Sequence, residues 1–315
     1  MSKVKQSHYL PRAAYLSQFS NDGKIWAYNL SAGKDNLLQV KSFETTPKKF
    51  GRQNYLYEIP GLPDNFLEKI LQPIEDAYQG IFDEKISKHI QLSRKELEIV
   101  SLFVATLEVR VPAHKDFWNS QLDELKQRGI ELALANNSQE AADRFAEQIE
   151  LAQLQTFAYS LSAAMKVNRW RFSDFCFIYI EKEEADQYFI TSDNPTCLID
   201  YTRMNSFYGI APSSNTLELT VPISRSITLF VNNAGINGFK KADPNFVREI
   251  NNRTINHSAS FLITPKQLDD NFYNGVYRHY PQSLILRYVE LPKGNFDLEV
   301  EKSKTTSINK RRINH

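Results

Sequence analysis

Sulfur is scarce in this chain. Of its 315 residues only two are cysteine, Cys176 and Cys197, and three are methionine. Two cysteines do not make a disulfide-held secreted scaffold of this size. Cys176 lies in an apolar run, where a buried free thiol is expected. Long apolar runs are missing too. No stretch approaches the ~18 uninterrupted residues of a membrane span. The most apolar segment, 151–165, is broken by Gln153, Gln155, Ser160 and Ser162 and reads as a buried helix. The opening residues, Met1 to His8, hold no apolar signal region. A cytoplasmic chain with no membrane partner is the expectation. Nor is one sign of charge in excess: 38 basic side chains face 37 acidic ones. No global field therefore advertises nucleic acid or anionic lipid.

Several chemical signatures are absent as well. There is no Gly-x-Gly-x-x-Gly, no phosphate loop, no Cys-x-x-Cys, no His-Glu-x-x-His and no Gly-x-Ser-x-Gly. Two Arg…His spacings, Arg110…His114 and Arg253…His257, are one residue shorter than expected of ribonucleases that pair these groups on a helix. Pro112 also interrupts the first.

What is present is an ordinary globular balance, 42% hydrophobic and 24% charged, with 20 Phe and 15 Tyr to fill a core. Its periodicities predict an α+β fold. A helical middle packs on a mixed or antiparallel central sheet, and an N-terminal β-hairpin joins the same unit. Residues 24–43 form the hairpin, 64–166 the helical region and 170–290 the sheet-rich region. Together they make one domain over 1–300, and 301–315 form a basic polar tail.

Locally, Tyr15 to Phe19 follows Pro11 as a short helix. Strands are expected at 24–30 and 37–43. A helix from Pro63 should break or kink at Pro73. Ser93 and Glu96 read as a capping box, opening a helix that ends near Arg110 before Pro112. Gly129 should close the next helix, and the longest helix should run from Ser138 to Met165. Strands are expected at 175–180 and 187–191, paired with each other, and at 217–223, 227–231 and 283–289. Further helices are expected from Asp243 to Phe261 and from Lys266 to Tyr277.

Five residues stand out as a scattered polar set. His8 could pack near a terminus or act as a general base, since imidazole titrates near neutrality. Glu75 is either an exposed helix charge or an inward carboxylate. Arg110 either complements a helix C-terminus or clamps a phosphate with its planar fork. Asp193 and Asn194, in Ser192-Asp-Asn-Pro195, follow a strand directly. They make an Asx-type turn, or a site exposed on a rigid sheet end. Asp193 could also hold a metal or orient His8. Asn232 and Asn233 close another strand and could lie nearby.

Taken together these stretches resemble domain-of-unknown-function family 4238, a mainly bacterial group. The resemblance rests on His8, Tyr9, Pro11, Leu16 and Phe19, on Trp26 and Tyr28, on Glu75, on Arg110-Val-Pro112, on Trp170, on Ile190 to Pro195, on Pro222-Ile-Ser224 and on Ile250 to Ala259. It spans about residues 8 to 290. Arg225 departs from it, because the family usually places a proline there. The resemblance implies one fold unit and no established activity.

Two readings follow. In the first the chain is a hydrolase of phosphodiesters or nucleotides, a nuclease such as a phage-defence or toxin effector. His8 would then be base or acid, Arg110 the phosphate clamp and Asp193 the orienter or metal ligand. Glu75 and Asn194 would share the cleft, Mg²⁺ or Mn²⁺ would be the cofactor, and nucleic acid or a nucleotide the partner. In the second the chain is a non-catalytic binding or sensor module, and the same residues form a structural network that braces the N-terminal segment.

Overall fold

The computed structural model describes residues 6–30, 40–54, 56–57, 63, 66–181, 187–200, 213–269 and 283–285. Among these, six α-helices and eleven strands form an α+β fold with three sheets. The basic tail, most of the 266–277 segment and the end of the 283–289 segment lie outside the described residues.

A two-stranded ribbon pairs β1 (Gln6–His8) with β4 (Arg52–Asn54). The five-stranded sheet has the order β10 (Gly238–Lys241), β5 (Asp174–Tyr179), β9 (Ile227–Asn232), β8 (Leu217–Pro222), β7 (Cys197–Asp200). Only its β10–β5 pair is parallel. The four-stranded sheet has the order β3 (Ser42–Thr45), β2 (Ile25–Asn29), β11 (Phe261–Thr264), β6 (Thr191–Ser192). The expected N-terminal hairpin is the β2–β3 pair, but its second strand is Ser42–Thr45 rather than 37–43, of which 37–39 lie outside the described residues.

Successive strand residues point to opposite faces, so a strand buried on both sides feeds two cores. In the five-stranded sheet Phe175, Phe177, Leu219, Val221, Leu229 and Val231 join one apolar cluster. That cluster also takes Leu71 and Tyr78 of α1 (Phe66–Glu84), Val100, Phe103, Val104 and Leu107 of α2 (Arg94–Val109), and Phe157 and Leu161 of α5 (Thr156–Val167). On the other face Cys176, Ile178 and Phe230 meet Phe246, Val247 and Ile250 of α6 (Pro244–His257). Both thiols are buried and free.

The capping box at Ser93 forms as expected: Glu96 N donates to Ser93 Oγ at 3.4 Å and Ser93 N to Glu96 Oε2 at 2.7 Å. Several other expectations need correction. Pro73 does not end α1, which runs on to Glu84. Pro73 is exposed, so the carbonyl it leaves without a donor can turn to water, and burial of Leu67, Leu71, Tyr78 and Phe82 carries the helix through. Gly129 does not close α3, which spans Pro112–Ala135. A Cβ there would lie 2.0 Å from the Phe145 ring of α4 (Gln139–Leu154), so this glycine serves close helix packing. The helix expected over 138–165 is two helices, α4 and α5, divided at Gln155.

Residues 187–190 are not a strand beside β5, because both edges of β5 are occupied, by β9 and β10. Two of their backbone bonds go to the Asn251 side chain, Ile190 N donating to its Oδ1 at 3.0 Å and its Nδ2 to Tyr188 O at 2.9 Å, and Phe189 N donates to Arg225 O at 2.8 Å. The α6 helix stops at His257, and Phe261 begins β11 rather than ending the helix. Residues 267–269 and 283–284 are neither helix nor strand.

Candidate functional site around His8 and Arg110

The β1–β4 ribbon sets the N-terminal segment in register, with His8 opposite Arg52. Tyr9 N then donates to Gly51 O at 2.8 Å. Gly51 has φ +67, and a Cβ there would meet Leu16 Cδ1 at 3.0 Å and Leu10 Cβ at 3.1 Å. A glycine is needed for both reasons. The next residues enter the core, where Leu10, Tyr15, Leu16 and Phe19 are fully buried.

Arg110 caps the C-terminus of α2, and Pro112 starts α3 two residues later. Its side chain is not displayed to solvent but is 1% exposed. Nη1 donates to Glu75 Oε1 at 2.5 Å, Nη2 to the His8 carbonyl at 2.8 Å and Nε to Tyr57 Oη at 3.1 Å. Burial opposes the charge, but Tyr57 and Glu75 outweigh it and hold the pKa above the ordinary arginine value. Nearby, burial raises the Glu68 carboxyl, against the Ser7 hydroxyl bond and the Arg110 charge. Structure thus brings His8, Glu75 and Arg110 together, and adds Ser7, Tyr57 and Glu68.

The His8 imidazole is partly exposed, with Nε2 3.3 Å from the Lys48 carbonyl. Burial lowers its pKa, the Lys48 bond acts against this, and the charges of Arg12, Arg52 and Arg110 add to the lowering. The ring is therefore neutral at neutral pH and lies in a positive field.

Asp193 sits on another part of the frame. Its Oδ1 accepts from Ala259 N at 3.0 Å and its Oδ2 from Ser260 N at 2.8 Å. It is 6% exposed, and burial raises its pKa while the amides of Ser260, Phe261 and Ala259 oppose the rise. Asn194 Nδ2 donates to the His257 carbonyl at 3.1 Å. The Asp193–Asn194 turn therefore clasps the link between α6 and β11. No hydrogen bond joins His8 to Asp193 among the described residues. Tyr9, next to His8 in the chain, has its pKa raised by burial first and by the Asp193 charge second. Asn232 and Asn233 bond elsewhere, Asn232 to Ala234 and Ile236 and Asn233 to Ser214.

Among the described residues no group of three or more His, Cys, Asp and Glu is placed to hold a metal ion. No helix of the described residues is long and apolar enough to cross a membrane. Tyr57, Glu68 and Ser7 carried no motif or spacing that marked them. The strand register and the fold of α1 onto α2 bring them in.

Residues 6–267 match the family described as protein of unknown function, DUF4238. The chain belongs to this family. No curated protein and no solved structure matches the chain. Within the matched span, Arg110 ties the His-Tyr opening to α1 through Glu75, and the Asp193–Asn194 turn separately ties β6 to the link between α6 and β11.

Proposed function

We propose that this DUF4238 member is a ligand-binding or sensor module, and that the polar set around Arg110 and Asp193 is its internal brace. One observation carries the reading: the three guanidinium nitrogens of Arg110 and the two carboxylate oxygens of Asp193 are all engaged by this chain's own groups. A phosphate clamp needs donors facing the ligand, and a metal ligand needs lone pairs facing the ion. Here those atoms face inward and join elements far apart in sequence. A half-satisfied network of this kind would be costly, whereas a satisfied one gives a rigid frame.

The second reading is phosphodiester or nucleotide hydrolysis at His8. The specific support for it is the neutral imidazole beside Arg12, Arg52 and Arg110, a base in a field that attracts anions. A hydrolysis screen separates the two. Purified protein would be offered RNA, single- and double-stranded DNA and nucleoside triphosphates, with and without Mg²⁺ or Mn²⁺, beside His8→Ala and Asp193→Ala. The brace reading expects no turnover by any of the three proteins and a lowered melting temperature for Asp193→Ala. Turnover by wild type that His8→Ala abolishes without loss of fold would replace it with the hydrolase.

A further inference from the structure

At the far end of β11 from the Asp193 turn lies a second polar region that the brace does not use. Asp193 N bonds Phe261 O at the start of β11, whereas Lys266 stands two residues beyond its last residue, Thr264. Lys266 borders a cleft of about 850 Å³. Small-molecule sites fall at ~300–1,000 Å³.

The walls bring together three kinds of group. The first is aromatic. The exposed His89 ring stacks on Tyr179 with centroids 3.8 Å apart, and Lys266 Nζ lies 5.3 Å from the Tyr188 ring centroid. His89 is held at φ +56 as the C-cap of a 3-10 turn, a left-handed conformation uncommon for a non-glycine residue. Burial lowers its pKa, so the ring is neutral at neutral pH and suited to stacking.

The second kind is cationic. Arg225 and Lys266 are both exposed on the cleft wall. Arg225 Nη1 donates to Asn21 Oδ1 at 3.0 Å, and its main chain is fixed between Gln18 O and Phe189 N. Glu181, the one acid on this wall among the described residues, is paired with Lys241 at 2.8 Å.

The third kind is neutral polar. Ser87, Asn21 and Ser226 line the cleft, and so does Gln187. The Gln187 Oε1 is buried and has no hydrogen-bond partner among the described residues. A buried acceptor left unpaired is costly, so it marks a place where a ligand N–H or O–H would be favoured.

We propose that this cleft binds a nucleotide. The ring of the base would lie in the aromatic part, as bases lie on His and Tyr faces. The phosphate would be met by Arg225 and Lys266, and Gln187 Oε1 would accept from the base or sugar. A free anion would use only the cations and an apolar ring only the stack. A nucleotide uses all three kinds of group. The proposal names the ligand of the binding module inferred above and rests on that reading.

The test is calorimetric titration of the full chain with AMP, adenosine, ribose 5-phosphate and inorganic phosphate. AMP is expected to bind at least about tenfold tighter than each of the other three. Arg225→Gln and Lys266→Gln should each weaken AMP by about tenfold. His89→Ala should weaken AMP and leave ribose 5-phosphate unchanged, and His8→Ala should leave AMP unchanged. All four positions are at least partly exposed, and melting curves check that each variant folds. No AMP binding, equal affinity for AMP and inorganic phosphate, or AMP affinity unchanged in Arg225→Gln would each overturn the proposal. Loss of AMP binding in His8→Ala alone would overturn it too, by moving the ligand to the β1–β4 ribbon. The hydrolysis screen reads the brace independently of all these outcomes.

Discussion

Arg110 holds His8 by its backbone, with Nη2 donating to the His8 carbonyl at 2.8 Å while Nη1 of the same guanidinium donates to Glu75. The ring of His8 turns to the Lys48 carbonyl and lies in the field of the surrounding arginines. This one side chain therefore ties β1 to α1 and α2, and removing it does more than delete a charge.

Three variants measure that tie. Glu75→Ala leaves a guanidinium that is 1% exposed without its carboxylate, at a cost of about 3 kcal/mol. Arg110→Met strips partners from Glu75, Tyr57 and the His8 carbonyl, and should cost about 3–5 kcal/mol. The double variant should cost less than the sum by about 1–3 kcal/mol, since neither charge is then left alone. Urea unfolding of the four proteins gives all three numbers. A double variant that costs the full sum would show that the pair is not one coupled unit.

The sequence showed these residues but not their roles. Arg110 was legible as a cap because Pro112 forces the helix to end. Its inward direction was not, because that depends on Tyr57, Glu75 and the His8 carbonyl reaching it from distant parts of the chain. The capping box and the strands at 175–180, 217–223 and 227–231 were legible because each is a local rule. The pairing of 187–192 was not. Apolar alternation shows that a segment is buried, but not that Asn251 will take its backbone bonds in place of a strand. Gly129 misled for a related reason. A glycine in a helix reads as a terminus until the helix packed against it is known.

Gly129 yields its own prediction. Alanine is the better helix former by about 1 kcal/mol, yet its Cβ would lie 2.0 Å from Phe145 Cε1. Overpacking of this kind costs about 1–3 kcal/mol, so Gly129→Ala should destabilise on balance. In a Phe145→Ala background the clash is gone, and the same substitution should stabilise. Melting temperatures of the four proteins test the reversal of sign. A gain from Gly129→Ala in both backgrounds would mean that the ring swings aside at no cost.

His114 sets an acid-side dependence of stability. Burial first, and the Arg169 charge second, depress its pKa from 6.5 to about 4. Because the folded pKa is the lower one, the unfolded chain takes the proton first as pH falls. Stability should therefore hold above pH 6.5, decline towards about 4 and gain no further loss from this group below that. Glu108, in the same groove between α2 and α5, works in the opposite sense because burial raises its pKa. The informative quantity is thus the difference between wild type and His114→Gln, followed by urea unfolding across this range. A difference that does not change with pH would show that the imidazole titrates normally.

Asp193 distinguishes a brace from a metal ligand. Asp193→Ala leaves the amides of Ala259 and Ser260 without their carboxylate, which should cost about 2 kcal/mol. Asp193→Asn should cost nearly as much, since its NH₂ group would face an N–H donor. Hydrogen exchange at Ala259 and Ser260 should quicken in both variants, because the turn that shields these amides is lost. Mg²⁺ should leave the melting temperature of wild type unchanged if the carboxylate only bridges backbone. A rise in melting temperature with Mg²⁺ that Asp193→Ala abolishes would make it a metal ligand instead, since an ion that binds the folded state alone must stabilise it.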